Sequence, residues 1–88
     1  MSRRRLKPIP KLLGRKVNLL RLRAGLSFPQ VADAVDLSVS AIYKIEKGDC
    51  VTSLRVILAM SELFSVSTDF LLKDSITRIN FKGRVIRL

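Results

Sequence analysis

The stretch 27–48 reads SFPQVADAVDLSVSAIYKIEKG and decides the fold of this chain, because it predicts two short helices joined by a tight turn. Ser27 is a favourable N-cap, and Gln30 three residues later completes a capping box. Ser38 caps the second helix, and Gly48 is a suitable residue to end it. Residues 27–48 therefore predict a pair of capped helices separated by a short turn.

The second helix of the pair has two different faces. Its apolar residues Ile42 and Ile45 point inward, whereas the opposite face carries small, polar and basic side chains. A helix with such an outer face at its N-terminal end suits the DNA major groove. The outward residues are Val39, Ser40, Tyr43, Lys44 and Lys47.

This spacing resembles the helix-turn-helix of the phage Cro and repressor (XRE-like) family. Counted from Phe28, the fifth residue of the family pattern is small, and here it is Ala32. The apolar fourth, eighth, tenth, fifteenth and eighteenth positions are Val31, Val35, Leu37, Ile42 and Ile45. The resemblance covers roughly residues 13–72. It implies an all-α, five-helix, lambda-repressor-like DNA-binding domain, here with a short C-terminal β-strand or hairpin.

Two positions depart from the family pattern. The ninth is usually glycine because the turn needs a positive φ, and here it is Asp36, a residue type that tolerates that region. The family places glutamine, a phosphate contact, where Phe28 stands, so Phe28 retains only its backbone N–H for that role. The resemblance also implies a structural ion pair between Arg21 and Glu46.

The net charge of +10 is unevenly distributed along the chain. Residues 1–32 and 75–88 contain basic but no acidic residues, whereas residues 33–74 contain all seven acids. This segregation favours a polyanionic partner, nucleic acid before membrane. Residues 1–10 predict a basic arm whose arginines either track phosphates or stay solvated.

The predicted DNA contacts divide by role. We expect Ser40 and Lys44 to lead the reading of bases, with Val39 and Tyr43 completing the set. The cations of the first helix are further phosphate candidates. The principal phosphate candidates are Ser27, Phe28, Gln30, Lys47, Ser53, Arg3, Arg4 and Arg5.

The remaining segments complete a division into an arm (1–10), a helical domain (11–74) and a β tail (75–88). We expect a first helix over 10–23, a fourth from 52 or 53 to 64, and a fifth over 68–73. In the fourth helix, Leu54, Ile57 and Leu58 are expected on the buried face. The tail predicts either a hairpin around a Lys-Gly turn or a strand that pairs with a second subunit.

Composition excludes several function classes. The absence of histidine and the single cysteine argue against catalysis, a metal site and an internal disulfide. No cofactor is predicted, and no apolar run reaches membrane-spanning length. With no secretory signal in the first residues, we expect a cytoplasmic protein.

These patterns predict a sequence-specific double-stranded DNA-binding regulator, most simply a homodimeric repressor. Two alternatives remain open. An antitoxin-type module would bind a small protein toxin as well as its operator. An interaction module would use the basic ends for non-specific nucleic-acid binding. Neither the operator nor the regulated gene can be inferred from the sequence.

Overall fold

The computed structural model describes residues 11–49 and 52–88, which form five helices followed by a two-stranded sheet. The predicted all-α fold with a C-terminal β element is therefore confirmed. No helix in the described part of the chain is long and apolar enough to cross a membrane. The elements are α1 (Leu13–Ala24), α2 (Phe28–Val35), α3 (Val39–Lys47), α4 (Leu54–Phe64), α5 (Thr68–Leu72), β1 (Arg78–Phe81) and β2 (Arg84–Arg87).

Serine N-caps begin four of the helices. The Ser27, Ser38, Ser53 and Ser67 hydroxyls each accept a hydrogen bond from the backbone N–H three residues later. Each cap satisfies one of the N–H groups that a helix start leaves without a partner. Local sequence therefore fixes where α2, α3, α4 and α5 start.

The turn between α2 and α3 has the left-handed backbone that the sequence predicts. Asp36 adopts φ 58° and ψ 53°, and its neighbour Leu37 donates its N–H to the Ala32 carbonyl at 2.9 Å. Ala32 is buried at the crossing of the two helices. A small residue there lets α2 pack closely on α3.

The buried face of α4 differs from the predicted one. Leu54 and Leu58 are 67% and 48% exposed, and the helix instead buries Val56 and Met60 with Ile57. The run of alternative apolar positions in this helix allowed either face, and packing against α1, α2 and α5 selected the one that ends in Phe64. The expectation for Leu54 and Leu58 was wrong.

Helix α1 packs closely against α3 at Gly14. A Cβ atom added to Gly14 would lie 2.5 Å from the Ile45 carbonyl oxygen and 2.6 Å from that of Glu46. Both are backbone atoms that cannot rotate away. Glycine is therefore required here for steric reasons, and α3 is seated directly on the first turn of α1.

The chain after α5 forms a hairpin within the same chain. β1 pairs antiparallel with β2, and Ile79 lies opposite Ile86. The turn residues Lys82 and Gly83 both have positive φ, 53° and 80°, as two-residue hairpin turns of type I′ require. Phe81 and Ile86 are buried and belong to the core, so the hairpin is packed against the helices.

Hydrogen bonds join the start of α1 to the end of α5. The Asp74 carboxylate accepts hydrogen bonds from the N–H groups of Lys11 and Leu12, at 2.9 and 3.0 Å. The fully buried Lys16 donates from Nζ to the carbonyl oxygens of Phe70 and Lys73. Residues 62 or 63 apart in sequence are thereby joined at one end of the molecule.

Candidate nucleic-acid interface

Helix α3 presents on one side the four residues predicted to read bases. Val39 and Tyr43 are 44% and 50% exposed, and Ser40 and Lys44 are exposed beside them. On the opposite side of the helix, Ile42 and Ile45 are buried. The structure therefore brings the four candidates together on one solvent-facing surface, supported by an apolar face beneath it.

The start of α2 adjoins this surface. The Ser27 hydroxyl accepts from the Gln30 N–H at 3.2 Å, and the Gln30 Oε1 accepts from the Ser27 N–H at 2.8 Å. This reciprocal capping box occupies both side chains in the free protein. A phosphate bound here would meet the positive end of the helix and the backbone N–H of Phe28.

Arg21 and Glu46 meet in an ion pair that joins α1 to the end of α3. Arg21 Nε lies 2.7 Å from Glu46 Oε2, and both side chains are at least nine-tenths buried. The Asn18 amide donates to Glu46 Oε1 at 2.8 Å, and Arg21 Nη1 donates to the Leu26 carbonyl at 3.1 Å. With these partners the buried charges are hydrogen-bonded as well as paired.

Phe28 stacks on this ion pair. The Arg21 guanidinium lies 4.0 Å from the centre of the Phe28 ring, within range of a cation–π interaction. Phe28 also meets Tyr43 edge-to-face, with 6.0 Å between ring centres and 70° between ring planes. Lys47 Nζ lies 5.3 Å from the centre of the Tyr43 ring.

Two of the helix-1 cations are not available for phosphate. Arg21 is committed to Glu46, and Lys16 is buried among the carbonyl groups that end α5. Burial lowers the pKa of the Lys16 ammonium, and the nearby Asp74 carboxylate opposes that shift. The interpretation of Lys16 as a phosphate candidate is corrected, whereas Arg15 and Arg23 are exposed.

The other phosphate candidates fall in different places. Lys47 is exposed at the end of α3, and Ser53 caps α4 by accepting from the Val56 N–H at 3.3 Å. Arg3, Arg4 and Arg5 lie outside the described residues, as does Cys50. Within residues 11–49 and 52–88, no cluster of side chains is suited to hold a metal ion.

Sequence reasoning missed two residues, Asn18, which binds Glu46 at the end of α3, and Asp74, which binds the start of α1. Asn18 fixes the Glu46 carboxylate, and hydrogen bonds from Leu12 and then Lys11 hold the pKa of Asp74 below its ordinary value. Asn18 lies one turn before Arg21 on α1, and that spacing was the available signal. No local pattern relates Asp74 to residues at the other end of the domain.

Comparison with known proteins agrees with this geometry. The family model described as a helix-turn-helix domain matches residues 12–71, more than half of the chain. No match was found among curated protein sequences.

Three solved structures share the fold. The P22 c2 repressor in complex with synthetic operator 9T has a TM-score of 0.69 and 25% identity over 73% of this chain and 97% of its own. The restriction-modification controller protein C.AhdI from Aeromonas hydrophila has a TM-score of 0.64 and 27% identity over 68% and 91%. The hypothetical transcription factor NHTF from Neisseria, with a TM-score of 0.66 and 20% identity over 82% and 86%, supports the fold alone. The protein therefore belongs to the helix-turn-helix domain family and has the fold of its repressor-like DNA-binding regulators.

Proposed function

We propose that this protein is a transcriptional repressor that reads double-stranded DNA with α3 in the major groove. The observation that carries the proposal is the exposed surface of Val39, Ser40, Tyr43 and Lys44 on a helix whose other face is buried. Lys44 is suited to donate to guanine O6 and N7, and the Ser40 hydroxyl can donate to an acceptor or accept from a donor on a base edge. Val39 offers an apolar contact for a thymine methyl group.

Phosphate contacts would set the position of α3 on the duplex. The start of α2 offers Ser27, Gln30 and the Phe28 N–H, Lys47 lies at the end of α3, and Ser53 caps the start of α4. The basic arm with Arg3, Arg4 and Arg5 supplies further charge. It would add affinity and salt dependence more than sequence preference.

We further propose that the regulator acts as a homodimer and that the β tail contributes to the interface. The hairpin projects Val85, which is 64% exposed, and Arg78 lies directly opposite Arg87 on the exposed face of the sheet. A two-stranded sheet has two open edges, and such edges favour pairing with another strand. A dimer would bind half-sites about one helical turn apart.

Selection from a randomised duplex pool at near-physiological salt tests the proposed function. We expect an enriched, two-fold symmetric motif, which would identify a dimeric sequence reader and give its half-site spacing. A single asymmetric motif would contradict the dimer. Retention without enrichment that disappears as salt rises would contradict sequence reading and favour non-specific binding.

Lys44→Ala tests the assignment of one base reader. We expect a loss of about 1–3 kcal/mol in binding that is confined to one base-pair position of the selected site. Arg15→Ala, which removes an exposed phosphate candidate of α1, is the matched control, because removal of a phosphate contact should weaken all sequences alike and reduce the salt dependence. A uniform loss for Lys44→Ala would reassign Lys44 to the phosphate backbone.

The antitoxin-type alternative has one observation in its favour. Leu54 and Leu58 are exposed one turn apart on α4, which gives an apolar strip that a protein partner would cover. Purification from the native host followed by mass measurement separates the two functions. A homodimer alone favours the regulator, whereas a stoichiometric second protein favours the antitoxin.

A further inference from the structure

Phe28 stands where the family pattern places a polar residue that contacts phosphate. Its aromatic ring instead packs against side chains of α1 and α3. Its ring contacts both the Arg21 guanidinium, 4.0 Å from the ring centre, and Tyr43, whose ring centre is 6.0 Å away. Arg21 is a buried member of the ion pair with Glu46. Phe28 therefore connects a fixed charge in the protein interior to an exposed side chain on the reading surface.

This arrangement restricts Tyr43. A half-exposed tyrosine on a helix is ordinarily free to exchange rotamers, but here one edge-to-face contact and one cation contact act on the same ring. Aromatic pairs in this geometry contribute beyond the area that they bury. The Lys47 ammonium lies 5.3 Å from the centre of the Tyr43 ring, so the phenol is held before DNA binds.

We propose that Phe28 is a positioning residue that holds the Tyr43 phenol for contact with one base pair. The inference depends on the proposed function, in which α3 enters the major groove. The phenolic O–H would donate to an acceptor on a base edge, such as purine N7 or thymine O4. Phe28 contributes through Tyr43, because a side chain fixed in the free protein loses less conformational entropy on binding.

The first test concerns the free protein. Tyr43 is the only tyrosine and the chain has no tryptophan, so intrinsic tyrosine fluorescence reports on this side chain alone. In Phe28→Leu, we expect faster local depolarisation of that fluorescence and greater quenching by acrylamide. Leu22→Ala, which changes an exposed apolar residue of α1, should leave both unchanged. Unchanged Tyr43 mobility in Phe28→Leu would overturn the proposal.

The second test measures binding to the selected site and to each of its single base-pair variants. We expect Phe28→Leu and Tyr43→Ala to reduce discrimination at the same base pair, by about tenfold for Tyr43→Ala. The double variant should lose no more than Tyr43→Ala alone, since Phe28 acts through Tyr43. Phe28→Tyr, which keeps an aromatic ring at this position, should restore the discrimination.

The outcomes separate this inference from the proposed function. If wild type prefers a sequence but Phe28→Leu weakens binding equally at every base pair, Phe28 is only structural and the inference is wrong. Effects of Phe28→Leu and Tyr43→Ala at different base pairs would also overturn it. A wild-type protein without any sequence preference would overturn the proposed function and this inference together.

Discussion

Helix α1 is fastened to α3 and to α5 by different chemistry. Against α3, a glycine allows close backbone packing, and Arg21 pairs with the Glu46 carboxylate at 2.7 Å. Against α5, Lys16 is bound by carbonyl oxygens, while the nearby carboxylate of Asp74 binds backbone N–H groups. The α1–α3 interface therefore pairs two opposite charges directly. In the α1–α5 interface, the cation binds backbone carbonyl groups and the anion binds backbone N–H groups.

This difference predicts how each interface responds when its cation is removed. Removing Arg21 leaves a buried carboxylate with a missing counter-charge, which is the expensive way to break a buried pair. Removing Lys16 leaves neutral carbonyl groups at the end of α5 without their donor, and the charge that loses a nearby cation is the part-exposed Asp74 carboxylate. The α1–α3 interface should therefore be the less tolerant of the two, and it is the one that supports the reading helix.

Gly14→Ala should break the α1–α3 interface and have the largest effect. The added Cβ would lie within 2.6 Å of two backbone oxygens of α3, so the helices must separate. We expect a loss of at least about 3 kcal/mol in the free energy of unfolding. Urea denaturation measures it, with exposed Arg15→Ala as the neighbouring control. A loss below about 1 kcal/mol would show that the two helices separate easily.

Substituting methionine for each buried cation compares the two interfaces directly. Methionine retains an unbranched apolar stem but no charge. We expect Arg21→Met to lower the free energy of unfolding by about 3 kcal/mol and Lys16→Met by about 1–2 kcal/mol. The same denaturation measurement applies to both. Equal losses would mean that carbonyl oxygens and a carboxylate hold these cations alike.

Asp74→Asn should give the smallest effect and a distinct pH dependence. Hydrogen bonds from the Leu12 and Lys11 N–H groups lower the pKa of Asp74 from its ordinary value of 3.8. Its stabilising contribution is therefore present above that value and is lost as the pH falls through the lowered pKa. Thermal unfolding at pH 7 and pH 3 should show a smaller difference between wild type and Asp74→Asn in acid.

Asp69→Asn is the control for the Asp74 experiment. It removes a carboxylate from an exposed ion pair 3.6 Å from Lys73, where little stabilisation is expected. A difference between wild type and Asp74→Asn that grows in acid would contradict the assigned direction of the Asp74 pKa shift.

The features that could be predicted from the sequence are those that depend on neighbouring residues in the chain. The N-caps, the left-handed Asp36 and the glycines that end α1 and α3 each depend on residues a few positions apart. The separation of buried Ile42 from exposed Tyr43 follows from helical periodicity in the same way. The candidate reading surface was therefore predictable from one short stretch, although its contact with DNA is still a proposal.

Tertiary packing explains what the sequence does not reveal. Leu54 and Val56 are both apolar, so only the neighbouring helices determine which one of them is buried. A lysine in α1 resembles any solvated cation until the carbonyl groups of α5 are brought to Lys16. The stacking of Phe28 on Arg21 likewise needs α1 and α2 to meet, and its contact with Tyr43 adds α3, which no spacing within one helix encodes.

The hydrogen bonds of Asp74 to Lys11 and Leu12 affect the order in which parts of this domain fold during synthesis. Leu12 provides no side-chain cap for α1, and the groups that bind the N–H groups of Lys11 and Leu12 belong to a residue made more than sixty positions later. Since a long loop must close before this contact forms, its entropic cost precedes its gain. A nascent chain would thus carry an incompletely anchored first helix until Asp74 has left the ribosome, and the two ends of the helical domain would become ordered together.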